Sequence, residues 1–294
     1  MSALPAPHGG LERTIRLGLI GAGIQASRTP ALHMDEARAL GMRCDYRLID
    51  LDRLGVGAEA LPRLIAQAEA EGYAGLNITY PCKQAVLALL HDASDEARAL
   101  GAVNTVVLRD GRRIGHNTDC SGFAESFRRF LPDALRQLVV QLGAGGAGSA
   151  VAEALLRQGT GQLAIHDTDP ARAAALAEAL CRRHGDGRAR VAALEADVVA
   201  ADGLVNCTPV GMAKLPGLPL AEGLLHARLW VAEIVYFPLE TALLAAARRL
   251  GCRTLDGGGM AVFQAAHAFE LFTGIRPDAE RMLKSFRAAL ARAA

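Results

Sequence analysis

Leu138-Val139-Val140-Gln141-Leu142-Gly143-Ala144-Gly145-Gly146-Ala147-Gly148 is a short apolar run that enters a glycine turn and leaves it as an alanine-rich stretch. The run, Leu138–Leu142, has the length and branching of a buried strand, and residues 146–158 carry a helical pattern. Gly143-x-Gly145-x-x-Gly148 between a strand and a helix lets backbone amides and a helix N-terminus approach a pyrophosphate. An acid about 20 positions on, after the next strand, would hold the ribose hydroxyls of the adenosine. Asp167 stands there, 19 residues after Gly148 and just past the apolar run Leu163–His166. The stretch therefore predicts a nicotinamide dinucleotide site in a doubly wound α/β unit.

Outward from that turn, short apolar runs alternate with helical patterns, which argues βαβ units and mainly parallel sheets. Downstream, a helix over 170–183 and strands at 203–206 and 229–235 complete the second unit. Upstream, strands are expected at Arg16–Ile20, Cys44–Ile49 and Gly75–Thr79, with helices over 31–41 and 59–71. Val103–Leu108 and Arg113–His116 flank Arg109-Asp110-Gly111-Arg112, whose Asp-Gly signals a hairpin, so the first sheet should be mixed. A helix from Asp119 to Phe130 followed by Leu131-Pro132 carries the chain from one unit to the other. From Gly257 onward two helices follow with no further strand, and these are expected to return to the first unit. The expected fold is α/β: a mixed-sheet substrate domain (14–125 with 257–294), a Rossmann-type dinucleotide domain (126–256), and a loose tail over residues 1–13.

Composition narrows the function. Hydrophobic residues make up 51% of the 294 residues, enough for two cores, while aromatics are only 4%, so those cores are aliphatic. Lys plus Arg (32) against Asp plus Glu (31) leaves a net charge of +1, which gives no general field for nucleic acid or an anionic membrane, and neither is expected as a partner. The cysteines at 44, 82, 120, 181, 207 and 252 form no CxxC pair and read as reduced thiols. Cys181-x-x-His184 has no second pair, and no metal site is expected. The most apolar long stretch, 139–156, is interrupted by glycines and Glu153 and does not read as a membrane span. With no signal-peptide core near the start, the protein is expected in the cytoplasm.

A second glycine turn, Gly21-x-Gly23-x-x-Ala26, also follows a strand. Pro30 disfavours a helical Thr29 and breaks the helix that would otherwise point at a phosphate. That loop reads instead as a substrate loop. Its Ser27 and Thr29 hydroxyls, with Arg28 between them, suit a small anionic or polyhydroxylated molecule, although Thr29 could equally be the N-cap of the helix starting near Pro30.

Reducing a ketone with a nicotinamide needs a proton donor beside the developing alkoxide. None of the tyrosines at 46, 73, 80 and 236 is followed four residues later by Lys, and no zinc ligand set is present. Lys83, after a strand and the Tyr80-Pro81 step, stands out among the few lysines, although taken alone a lysine near a loop is more often a surface residue than a catalytic one. Asn77-Ile78-Thr79-Tyr80-Pro81-Cys82-Lys83, Gly101-Ala102-Val103-Asn104-Thr105 and Gly115-His116-Asn117-Thr118-Asp119 together resemble the shikimate/quinate dehydrogenase family. The likeness continues through Val205-Asn206-Cys207-Thr208-Pro209-Val210-Gly211-Met212, Val235-Tyr236-x-Pro238-x-x-Thr241 and Gly259-Met260-x-x-x-Gln264, and spans roughly residues 15 to 285.

The resemblance implies an oxidoreductase with Lys83 and Asp119 as its catalytic pair. It implies that Ser27, Thr29 and Tyr236 meet the substrate carboxylate and that Asn77, Thr79, Asn104 and Gln264 meet its hydroxyls. The dinucleotide would contact Gly143, Ala144, Gly145, Gly146, Ala147, Gly148, Asp167, Arg172, Cys207, Thr208, Val235, Gly257 and Met260. NADP-using members resemble Asn-Arg-Thr-x-x-Arg where this chain has Asp167-Thr168-Asp169-Pro170-Ala171-Arg172. A carboxylate at Asp167 repels a 2′-phosphate and accepts from a free 2′-hydroxyl, so NAD is expected, with Arg172 leaving NADP use open. Arg28-Thr29 resembles the quinate-using, NAD-linked branch, and Glu233 stands where many relatives carry Asp. A homodimer is compatible with this reading, though no heptad or isolated apolar face marks an interface.

Overall fold

The computed structural model describes residues 14–292, so the tail expected over 1–13 lies outside the described residues. The first sheet contains β1 (Thr14–Gly21), β2 (Arg43–Asp50), β3 (Gly75–Ile78), β4 (Asp92–Ala93), β5 (Thr105–Arg109) and β6 (Arg112–His116), in the order β2-β1-β3-β5-β6-β4. β1 lies parallel to β2 and β3, while β5 runs antiparallel to β3 and β6, so the sheet is mixed as expected. Asp110 and Gly111 have φ of 52° and 69°, the left-handed pair that a two-residue hairpin turn needs to match strand twist. Helices α1 (Thr29–Ala39), α2 (Leu51–Leu54), α3 (Leu61–Ala70) and α4 (Asp95–Leu100) join these strands.

The chain crosses along α5 (Thr118–Phe130), which packs on helices of both halves; the boundary expected between 125 and 126 falls inside it. The second sheet holds β7 (Leu138–Leu142), β8 (Gln162–His166), β9 (Ala189–Val191), β10 (Gly203–Asn206), β11 (Trp230–Glu233) and β12 (Arg253–Leu255). Its order is β12-β11-β10-β7-β8-β9, and every pair is parallel. Helices α6 (Gly146–Arg157), α7 (Pro170–His184), α8 (Leu194–Ala200) and α9 (Ala242–Arg249) connect the strands. β7 has β8 on one side and β10 on the other, so the order reverses there and opens a crevice beyond the carboxyl ends of β7 and β10.

Two helices, α10 (Gly257–Thr273) and α11 (Ala279–Ala291), end the described chain. α10 is buried on nearly every face, which its almost uniformly small or apolar sequence permits. It returns to the first sheet, with Phe272 packed against Gly75 so closely that a Cβ there would lie 2.2 Å from the ring. Against α5 the backbones also approach closely: a Cβ on Gly122 would meet the Gln264 amide nitrogen at 2.7 Å.

Several elements depart from the sequence reading. β3 stops at Ile78, one residue before the expected end, and β11 stops at Glu233 rather than 235, leaving Thr79 and Val235 on loops. β4, α4, β9, α8, α9 and β12 were not foreseen; each is 2 to 8 residues long. Thr29 is neither excluded from α1 nor its N-cap. It is the first helical residue, Arg28 occupies the cap position, and Pro30 follows inside the first turn, where its missing N–H costs nothing.

Candidate active site

Lys83 and Asp119 come together although 36 residues separate them. Lys83 Nζ donates to Asp119 Oδ2 at 2.6 Å, with side-chain exposures of 22% and 11%. Each partner is held by its backbone. The Lys83 carbonyl accepts from Val103 N at 2.8 Å, which ties the loop after β3 to the segment entering β5. Asp119 lies in the first turn of α5, where the helix dipole favours a carboxylate. Asn117 caps that turn, accepting from Asp119 N at 3.1 Å, and its own amide donates to the Ala102 carbonyl at 3.0 Å.

Beside this pair, Asn104 and Gln264 meet across 160 residues, Asn104 Nδ2 lying 3.4 Å from Gln264 Oε1. Thr118 joins them: its N–H donates to Asn104 Oδ1 at 2.8 Å, and its hydroxyl exchanges bonds with Asn104 and Gln264. Asn77 is buried below, its Oδ1 accepting from the Tyr46 hydroxyl at 2.7 Å and its Nδ2 donating to Thr105 Oγ1 at 3.3 Å. A further contact from that nitrogen to the Asn104 carbonyl is long, 3.5 Å. Thr79 follows directly, its N–H bonded to the Ile20 carbonyl at 2.9 Å, so the Ser27 loop and the Lys83 loop leave adjacent strands.

In the Ser27 loop the Ser27 hydroxyl accepts from Thr29 N at 3.3 Å. Asp50 pins the same loop through Gly23 N at 3.1 Å and Gln25 Nε2 at 2.8 Å. Tyr236 comes from the other half. Its ring lies 6.1 Å from Phe286 on α11, and burial raises the phenol's pKa against the pull of the nearby Arg28 cation. The second half thus places an aromatic hydroxyl near the Ser27 loop.

The glycine turn fits a dinucleotide. Gly145 and Gly146 have nothing within 4 Å of a built Cβ, leaving the outer face of the turn open at the start of α6, whereas a Cβ on Gly148 would strike the Gly143 carbonyl at 2.3 Å. The turn is closed from beneath by Gln141, which donates to the carbonyls of Gly143 and Gly148 at 2.9 and 3.0 Å. Asp167 Oδ2 accepts from Ala144 N at 2.7 Å and Oδ1 from Asp169 N at 2.9 Å. Burial works to raise this carboxyl, but those amides and the nearby Arg172 and His166 hold it below its usual range. Arg172 is itself paired with Asp169 at 3.3 Å. Facing the turn, the Cys207 backbone would lie 2.9 Å from a Cβ on Gly143, with Thr208 next to it; Val235 backs on Gly257, whose helix carries Met260.

Thr118, Tyr46, Gln141 and Asp50 were not among the residues expected at the site. Thr118 lies inside the Gly115–Asp119 motif, which was the available signal, while Tyr46 is recognisable only once the strands are paired. Among the described residues no cluster of three or more His, Cys, Asp or Glu could hold a metal, and no helix is long and apolar enough to cross a membrane.

Comparison with known proteins identifies a family. Residues 19–106 match the family model for the shikimate dehydrogenase substrate binding domain, and residues 257–285 match that for the shikimate 5′-dehydrogenase C-terminal domain. The chain is 60% identical to a shikimate dehydrogenase (NADP(+)) from Streptomyces avermitilis over 91% of this chain and 93% of that protein. It is 50% identical to a quinate/shikimate dehydrogenase (NAD(+)) from Corynebacterium efficiens over 93% and 98%. Among solved structures, quinate dehydrogenase from Corynebacterium glutamicum in complex with NAD superposes with a TM-score of 0.89 at 47% identity, covering 94% of this chain and 100% of the other. The paired Lys83 and Asp119, the glycine turn at the switch point and near full-length identity of this order lead to one assignment: the chain belongs to the shikimate dehydrogenase family.

Proposed function

We propose that this protein is a cytoplasmic oxidoreductase that interconverts quinate or shikimate with the corresponding 3-dehydro ketone, using NAD, with Lys83 and Asp119 as its catalytic pair. The observation that carries the reading is the 2.6 Å contact between Lys83 Nζ and Asp119 Oδ2, two largely buried side chains. Residues 14–125 with 257–294 form the substrate half and 126–256 the dinucleotide half.

Held by the glycine turn and Asp167, NAD would supply the hydride acceptor for oxidation of the alcohol carbon and, in its reduced form, the hydride donor for the ketone. As the free amine, Lys83 takes the hydroxyl proton as the alcohol C–H bond breaks, and in the reverse direction the resulting ammonium gives it to the ketone oxygen. Asp119 accepts from Lys83 and from a substrate hydroxyl, fixing both relative to the reacting carbon. Ser27, Thr29 and Tyr236 receive the carboxylate. Thr79, Asn104 and Gln264 receive the ring hydroxyls, together with Asn77 through the Nδ2 proton whose internal contact is long.

The NAD preference rests on Asp167, not on overall identity, because relatives bearing either cofactor's name match closely. An ionised Asp167 keeps acceptor capacity for a ribose diol and repels a 2′-phosphate. Initial rates with quinate and shikimate, each with NAD and NADP, test the reading. Higher kcat/KM with NADP would reject the cofactor assignment, and no turnover of either alcohol would reject the activity.

A further inference from the structure

We propose that Glu233 is the positioning residue of the nicotinamide side of the site, a single carboxylate that locks together the two loops carrying Thr208 and Val235. The proposal rests on the reading above that these loops meet the dinucleotide.

Glu233 ends β11 and pairs in register with Asn206 at the end of β10. It is 2% exposed, yet its hydrogen bonds come from neutral groups. Asn206 Nδ2 donates to both carboxylate oxygens at 3.0 Å, Val235 N donates to Oε1 at 3.0 Å, and Thr241 Oγ1 donates to Oε2 at 3.2 Å. The rest of the strand is apolar, Trp230-Val231-Ala232. A buried carboxylate there is costly to desolvate, and burial pushes its pKa up to about 7. An apolar residue would be cheaper if packing were the only requirement.

What the carboxylate provides is reach to three segments at once. Through Asn206 it controls the first loop: Asn206 Oδ1 accepts from Thr208 N at 3.0 Å and Thr208 Oγ1 at 2.7 Å, and Nδ2 also donates to the Val210 carbonyl at 2.9 Å. Through Val235 N it sets the start of the second loop, whose backbone abuts Gly257 at the head of α10. Through Thr241, which caps α9, it closes the far end of that loop. An amide has one acceptor oxygen and could not serve all of these donors.

The test is Glu233→Gln, with Glu233→Asp as the conservative variant, each read by dinucleotide dissociation constant (titration calorimetry with NAD), substrate KM, kcat and thermal midpoint. Expected for Glu233→Gln is a rise of about tenfold or more in the NAD dissociation constant with substrate KM within about threefold; Glu233→Asp, keeping two acceptor oxygens, recovers most of the affinity. An NAD affinity within twofold of wild type in folded Glu233→Gln overturns the proposal, as does a parallel loss of NAD affinity and substrate KM. If Glu233→Gln does not fold, Thr241→Val removes the donor to Oε2 together with the α9 cap to Leu244 N. It is expected to weaken NAD about three- to fivefold with substrate KM unchanged, and no weakening overturns the proposal. Wild-type protein that binds NAD but oxidises neither alcohol would reject the activity assigned above, while a Glu233→Gln effect on NAD in that same protein would still support this role.

Discussion

Replacing Asp167 by Asn isolates the charge that the cofactor preference depends on. The side chain keeps its size and one acceptor, so either the bond from Ala144 N or the bond from Asp169 N is lost. That loss, about 1 kcal/mol, falls on NAD and NADP alike and cancels in their ratio. The charge does not cancel. A carboxylate about 5 Å from a phosphate at an effective dielectric of about 20 repels it by roughly 3 kcal/mol per charge pair before salt screening. Allowing for a half-exposed site, about 2 kcal/mol survives, roughly a 30-fold change in a rate ratio. Asp167→Asn should therefore raise the ratio of kcat/KM for NADP to that for NAD by about 30-fold, chiefly through KM for NADP. Initial rates at saturating shikimate measure it. A ratio that moves less than threefold would show that Asp167 does not select the cofactor.

Lys83→Ala should lower kcat by about 10²- to 10⁴-fold while leaving the NAD dissociation constant within about twofold, since the lysine stands on the substrate side. Gly148→Ala forces a Cβ to within 2.3 Å of the Gly143 carbonyl, a backbone atom that cannot step aside, so the turn must distort. The thermal midpoint should fall and NAD binding weaken at least about tenfold in calorimetry. His33 is fully buried, bonded through Nδ1 to the Thr29 carbonyl at 3.0 Å, and burial lowers its pKa from 6.5 to about 4 despite that carbonyl. The unfolded chain takes up this proton at higher pH than the folded one, so stability is lost as pH falls from 6.5 towards 4, by at most about 3 kcal/mol. Urea unfolding at pH 7 and pH 4.5 should show the loss, and His33→Phe, which fits the ring cluster of Tyr46, Phe269 and Phe272, should remove that component.

The sequence made four strands of the second sheet, β7, β8, β10 and β11, legible because each is a largely apolar run, and the glycine spacing with Asp167 marked where a ligand enters; β9, a three-residue edge strand with Arg190 in its middle, gave no such signal. It did not reveal β4 or β12, which are two and three residues long and draw their stability from neighbours rather than from any periodicity of their own. Thr29 shows a local rule overridden in the opposite sense: proline discourages a helical residue before it, but at a helix start the geometry is tolerated. At the site, Lys83, Asp119, Asn104 and Gln264 were readable from motifs, and the structure gathers them. Tyr46 and Asp50 were not. Their contribution arises from strand register, Tyr46 on β2 reaching Asn77 on β3 across β1, which nothing in the linear order announces.

The close contact of Phe272 with Gly75 has a consequence for how the chain is made. The faces of β1 and α1 are covered by residues from the far end: Ile15, Leu17 and Leu19 by Ala268 and Phe272, and Leu32 by Phe263, Met282 and Phe286. One core of the second sheet, by contrast, runs from Val140 to Cys252 with no help from beyond. On the ribosome the later-encoded sheet can bury that core while the last helices are still being synthesised, whereas the first sheet must wait with an apolar face uncovered. That face of the half translated first is closed last, although the core on its other side, Ile20 to Leu108, is complete within itself, and in that interval the open face is exposed to aggregation.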